Sequence, residues 1–189
     1  TAPQGYVVNA TATNVKLVAS KTSAVTVENK EQLAELTIYK EGQVLTGADV
    51  SENGTVFQYE NRRQKNAVYN VYAGADIVTA YGTKVYSKGD LVKENLTTGE
   101  NGSVTLKNLH LGTYVVKETK APAGYQLLQK PIELTISPKF VENRNNYRSN
   151  GDGLLKLEAS SFNTPLNVSQ SDAIIGLKVI NKTGTKLPV

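Results

Sequence analysis

Short runs of alternating apolar and polar residues, each closed by a turn signal, recur along the chain, and helical periodicity is hard to find anywhere. The alternation predicts strands near 14–18, 23–28, 33–40, 55–60, 67–73, 84–87, 103–107, 113–119, 131–136, 154–158 and 174–181. Asn53-Gly54, Asn101-Gly102 and Asp152-Gly153 supply tight-turn signals between them. Many short strands with such punctuation predict an all-β sandwich or barrel. With no Trp and only 3 Phe, its core must rest on Val, Ile, Leu and the 10 Tyr.

Three of these strands share an oddity. In 113–119, Tyr114, Val116 and Glu118 point to one face, the likelier core face because the other ends in Lys117 and Thr119. In 33–40, Lys40 follows Ala34, Leu36 and Ile38 in phase, and in 174–181, Asn181 follows Ile175, Leu177 and Val179. A Lys, a Glu and an Asn thus each end an apolar face, from the start, middle and end of one domain. Burying an isolated charge costs several kcal/mol or shifts its pKa until it neutralises. Three such residues brought together would answer one another. The blander alternative leaves each at a frayed strand end reaching water, the lysine by snorkelling.

The stretch from Gly112 through Tyr114, Glu118, Ala121, Pro122, Gly124 and Tyr125 resembles the E-box of the CnaB-like (SpaA-type) domains of Gram-positive pilins and adhesins, G-x-Y-x-x-x-E-x-x-A-P-x-G-Y. Asn66-Ala67-Val68-Tyr69-Asn70-Val71-Tyr72-Ala73 resembles the family's G-A-x-F-x-L-Y strand, with Asn66 in place of Gly. Gly99 to Leu106, with Leu109, Leu111 and Gly112, resembles the segment that feeds the E-box. The resemblance covers residues 31–182 apart from an inserted stretch. It implies a CnaB-type (prealbumin-like or Ig-like) β-sandwich with a spontaneous isopeptide bond. Lys40 would be the nucleophile, Asn181 the carboxamide acceptor and Glu118 the proton shuttle. In that scheme desolvation lowers the pKa of Lys40 and raises that of Glu118, so that a protonated Glu118 polarises the Asn181 carboxamide. The spacing from Lys40 to Ala67 is longer than in compact members, which keeps Lys30 open as a rival lysine.

An internal repeat divides the chain. Ala2-Pro3-Gln4-Gly5-Tyr6 echoes Ala121-Pro122-Ala123-Gly124-Tyr125, and Val25-Thr26-Val27-Glu28-Asn29-Lys30 echoes Leu177-Lys178-Val179-Ile180-Asn181-Lys182. Residues 1–30 are therefore expected to be the C-terminal strands of a preceding domain of the same kind, and 31–182 a complete domain. The second copy is longer between its Tyr and its Asn, which predicts an insertion at about 138–170, rich in Asn, Ser and Gly, with room for a hairpin at Leu154–Glu158. Residues 183–189 end in Leu187-Pro188-Val189, the opening of a Leu-Pro-x-Thr-Gly sorting signal.

Other chemistry finds little support. Cysteine is absent, which removes disulfides and thiolate metal sites, and methionine is absent too, as in an excised or processed segment. The net charge of +4 is scattered, and its densest patch, Arg62-Arg63-Gln64-Lys65, has Glu60 beside it, so nucleic acid is not expected as a partner. No apolar run nears the roughly 20 residues of a membrane span. His110, the only histidine, stands between two leucines without a partner set for metal or nucleophilic catalysis. No cofactor, metal or enzymatic turnover is expected.

The function implied is that of a structural module in an extracellular, wall-anchored surface protein, a pilin subunit or adhesin stalk. Its partners would be sortase and neighbouring pilin or stalk domains. The alternative is a ligand-binding adhesin domain that recognises a host or cell-surface glycoprotein, with the 138–170 insertion as its recognition surface.

Overall fold

The computed structural model describes residues 5–7, 12–138, 157–161, 166–169 and 174–181, and all regular structure among them is β. The first sheet is built on β1 (Ala34–Ser51). One edge of its first half pairs in parallel with β12 (Ile174–Asn181), from Glu35↔Ile174 to Gly42↔Asn181. The other edge pairs antiparallel with β7 (Ser103–Leu109) and, further along, with β2 (Gly54–Arg63). β11 (Leu166–Ser169) lies antiparallel outside β12. The second sheet runs β10 (Leu157–Ser161), β9 (Ile132–Pro138), β8 (Gly112–Lys120), β3 (Val68–Ala73) and β6 (Leu91–Thr97), all antiparallel. A small ribbon of β4 (Ile77–Val78) and β5 (Lys84–Tyr86) completes the set.

Period-two alternation makes the core. From the first sheet, Leu36, Ile38, Leu109, Ile175, Leu177 and Val179 are buried. From the second come Tyr69, Val71, Tyr114, Val116, Leu134 and Ile136. Burial of such side chains, about 1.5–3 kcal/mol each for Val, Leu and Ile, is the main term holding the sheets together.

Beyond Gly42 the burial stops. Val50 and every residue of β2 are exposed, so β1 and β2 leave the sheet as a two-stranded ribbon. Pairing puts Leu45 opposite Tyr59 and Ala48 opposite Phe57, with a bulge between Leu45 and Gly47.

Three expectations about strands differ from the structure. Residues 14–18 and 23–28 form no strand, because their alternating residues have no ladder to join among the described residues. Leu17 is 82% exposed and Val27 61%. This segment is held near its start, where Tyr6 bridges Glu31 and the Gln32 amide donates to the Gly5 carbonyl. The expected hairpin at Leu154–Glu158 begins outside the described residues, and the strand there, β10, pairs instead with β9 from Leu157↔Pro138 to Ser161↔Leu134. Two strands inside 138–170 thus extend both sheets, β10 the second and β11 the first.

Candidate functional site

The parallel β1–β12 pair places Lys40 opposite Val179 and Gly42 opposite Asn181. Lys40 and Asn181 are therefore diagonal neighbours on adjoining strands, a spacing that long side chains bridge. β8 crosses from the facing sheet with Glu118, itself in register with Tyr69 on β3. All four side chains point into the core because each sits in phase with its apolar neighbours. Lys40 is fully buried, Glu118 is 1% exposed and Asn181 3%.

Glu118 stands between the other two residues. Lys40 Nζ lies 3.0 Å from Glu118 Oε1. Asn181 Nδ2 donates to Glu118 Oε2 at 2.8 Å and to the Gln126 carbonyl at 2.7 Å. The Leu128 amide also donates to Oε2, at 2.7 Å, and the Tyr69 hydroxyl reaches Oε1 at 3.4 Å. Asn181 thus shows Glu118 its amino group, where the family scheme has Glu118 polarising the carbonyl. Turning the amide over would set Asn181 Oδ1 against the Gln126 carbonyl, two acceptors with no hydrogen between them, so the network fixes this orientation.

Two buried atoms are left over. Asn181 Oδ1 has no hydrogen-bond partner, and Lys40 Nζ, although at ion-pair distance from Glu118, has none of acceptable angle. Leaving a buried polar group unmatched costs about 1–3 kcal/mol. Desolvation holds Lys40 below the usual lysine range, outweighing the nearby Glu118 carboxylate, which acts the other way. A lysine in that state is closer to a free amine and so to a nucleophile. Burial pushes the Tyr69 phenol up, and the charge and hydrogen bond of Glu118 add to the shift.

The loop after β8 closes the site with backbone. Tyr125 covers it: its hydroxyl donates to the Gln43 carbonyl at 3.1 Å, and its ring lies so close to Gly42 that a Cβ there would stand 2.2 Å from Cε1. Sequence reasoning missed the Gln126 carbonyl and the Leu128 amide, which carry no side-chain signal. Tyr69 was within reach, as a polar-tipped residue in phase on a core strand.

The remaining candidates lie elsewhere. Lys30, the rival lysine, is exposed. His110 Nδ1 is 3.1 Å from Glu31 Oε2, beside the Ala80 amide that donates to Glu31 Oε1, so it belongs to the junction around residue 31. Leu187, Pro188 and Val189 lie outside the described residues.

No curated protein matches the chain. Among solved structures, the group B streptococcus pilus 2b backbone protein is similar at 21% identity and a TM-score of 0.45, over 86% of this chain and 45% of that one. The minor pilin GBS52 of Streptococcus agalactiae is similar at 18% identity and 0.42, over 85% and 50%. The pilus adhesin RrgA of Streptococcus pneumoniae is similar at 20% and 0.44, over 86% and 16%. The chain thus spans half or less of each of these proteins. The SpaA family, a prealbumin-like fold domain, matches residues 34–147, a stretch that takes in Lys40 and Glu118 and stops before Asn181. With more than half of its length matched and two β-sheets packed face to face, the chain belongs to the SpaA prealbumin-like fold domain family.

Proposed function

We propose that this chain is a structural module of a Gram-positive surface protein, a pilin subunit or adhesin stalk, and that it stabilises itself with an isopeptide bond between Lys40 and Asn181. The observation that carries this reading is the burial of Lys40, Glu118 and Asn181 in one contact set with Lys40 Nζ and Asn181 Oδ1 unmatched. A permanent structural ion pair would be expected to satisfy its polar atoms. These are instead the atoms whose bonding changes in amide transfer.

The geometry suits that chemistry. Lys40 Nζ gives a proton to Glu118 Oε1, 3.0 Å away, and its lone pair adds to Asn181 Cγ. The carbonyl electron pair moves to Oδ1. Collapse of the adduct breaks the Cγ–Nδ2 bond while the Glu118 carboxyl, turned so that its protonated oxygen takes the place Oε2 holds 2.8 Å from Nδ2, returns the proton to it. The surplus proton on the new amide nitrogen passes back to Glu118, and one ammonia leaves. The Gln126 carbonyl holds Nδ2 throughout. The process is a single self-modification without turnover.

The bond would close the chain between residues 40 and 181. By the loop-entropy relation used for disulfides, such a closure restrains the unfolded state by about 5 kcal/mol. Sortase and neighbouring pilin or stalk domains are the partners that fit this role, with Leu187-Pro188-Val189 as the start of a sorting signal. Residues 1–30 fit as the end of a preceding domain that another body covers, since Val15, Leu17, Val25 and Val27 are exposed.

Intact-mass measurement tests the reading. The native chain should be lighter than its sequence mass by one ammonia, and Lys40→Ala or Glu118→Ala should restore the full mass. A native mass equal to the sequence mass would remove the bond and leave only the fold.

A further inference from the structure

Glu118 Oε1 is contacted by Lys40 Nζ from β1 and by the Tyr69 hydroxyl from β3. The hydroxyl is buried, and Glu118 is the hydrogen-bond partner that its tip finds. A phenylalanine would fill the same space, so the oxygen is not needed to pack the sheets. Its placement beside the oxygen that receives the lysine's proton gives it a chemical use.

We propose that the Tyr69 hydroxyl is a positioning group for the cross-linking reaction, setting the protonation of the Lys40–Glu118 pair. The proposal rests on the isopeptide reading above. As a donor to Oε1 the hydroxyl favours the ionised carboxylate that must take the proton. When Oε1 has become O–H, rotation about the phenol C–O bond lets the same oxygen accept, because a hydroxyl is both donor and acceptor. Oε1 therefore keeps a partner on both sides of the transfer.

Among the described residues, few groups face the Glu118 carboxylate. β1 brings Lys40 and β3 Tyr69 to Oε1, while β12 brings the neutral Asn181 and the loop after β8 the Leu128 amide to Oε2, with the Gln126 carbonyl accepting from Asn181 Nδ2. The reactive pair holds one proton between Lys40 and Glu118. A second proton stops the reaction on the acid side, and loss of the shared proton leaves no acid for the departing nitrogen on the alkaline side. The rate should follow a bell in pH. Removing a donor from the carboxylate raises the two steps by a combined amount equal to the lost bond, so Tyr69→Phe should move the centre of the bell upward. A hydrogen bond to a charged group is the size of about one pKa unit, and a 3.4 Å contact lies at the weak end. That unit is shared between the two steps of the coupled pair, so the centre of the bell should rise by about half a pH unit.

The test uses the full chain, captured unreacted in guanidinium and refolded by dilution across a pH series, with ammonia loss followed by intact mass. Tyr69→Phe is compared with the parent and with Tyr114→Phe, which deletes another buried hydroxyl, one that donates to the His110 carbonyl. The expected result is a bell whose centre moves upward by about half a unit in Tyr69→Phe and is unmoved in Tyr114→Phe. A Tyr69→Phe bell in its original place, whether or not its height changes, overturns the proposal. Equal displacement in both variants also overturns it, because the effect would then be general to the core. If the parent loses no ammonia at any pH, the isopeptide reading itself fails, an outcome distinct from the other two.

Discussion

Gly42 offers a sharp test of how the site is built, because two effects of opposite sign meet there. Alanine in place of a strand-interior glycine ordinarily stabilises, by roughly 0.5–1 kcal/mol of chain entropy. Here the new Cβ would stand 2.2, 2.5 and 2.9 Å from Cε1, Cζ and Cδ1 of Tyr125. Carbon atoms rest at about 3.5–4.0 Å, so the ring must retreat by more than about 1 Å. A ring has no flexible end to yield, and its retreat breaks the hydrogen bond from Tyr125 to the Gln43 carbonyl. Overpacking of about 1–3 kcal/mol and a hydrogen bond of about 1 kcal/mol exceed the entropic gain. The net destabilisation of Gly42→Ala should be about 1–3 kcal/mol. For a chain of this size that lowers Tm by about 3–10 °C. Thermal unfolding should be measured in a Lys40→Ala background, where no cross-link can mask the change. In the lysine-containing chain the same substitution should slow ammonia loss, since Tyr125 precedes the carbonyl that holds Asn181. A Gly42→Ala chain as stable as its parent would refute the argument. With Tyr125→Ala added, the alanine at 42 should cost no more than about 0.5 kcal/mol, the coupling that identifies the ring as the cause.

Other outcomes follow from the same contacts. In an Asn181→Ala chain, which keeps Lys40 free, the depressed Lys40 pKa means that the unfolded state binds more protons, so this residue's contribution to stability rises with pH towards its ordinary 10.5. Chemical denaturation of Asn181→Ala against Lys40→Met/Asn181→Ala over that alkaline range isolates the term, because the buried tyrosines are common to both; a pH-independent difference would contradict it. Gly102→Ala should destabilise by at least about 1–3 kcal/mol in thermal unfolding, since φ is +67° and a Cβ would meet Arg63 Cβ at 2.7 Å, beside the carbonyl that accepts from the Lys40 amide. Thr98→Val should cost about 1–3 kcal/mol by the same measurement, because its buried hydroxyl accepts from the Ala67 amide and donates to the Gln64 carbonyl.

Much of the fold was legible because a half-buried strand writes its exposure pattern into every second residue. Tyr114 and Val116 in phase with Glu118, and Leu36 and Ile38 in phase with Lys40, are patterns that only a two-faced sheet explains. The expected all-β sandwich of the family is what the two packed sheets form. The ribbon was harder to read. Past Gly42 both faces of β1 meet solvent, and the bulge between Leu45 and Gly47 throws the alternation out of step, so only its β2 side stood out as a strand. β6 was missed for a similar reason, since Leu96 is its one buried residue. Residues 14–18 and 23–28 show the reverse failure, alternation without a ladder. At the site, side chains could be placed by phase, but the Gln126 carbonyl and Leu128 amide have no residue-specific signature.

The parallel pairing of β1 with β12 has a mechanical consequence. The chain enters the sheet at Ala34 and leaves it at Asn181, and in a parallel pair those points lie at opposite ends of one ladder. Tension between them slides the two strands along each other, and the ladder from Glu35↔Ile174 to Gly42↔Asn181 resists as a unit, in shear. An antiparallel pair pulled from its open end would instead unzip one bond at a time. With Lys40 joined to Asn181, tension would pass from β1 into the amide and out of the chain, leaving the strands between them, including the whole second sheet, unloaded.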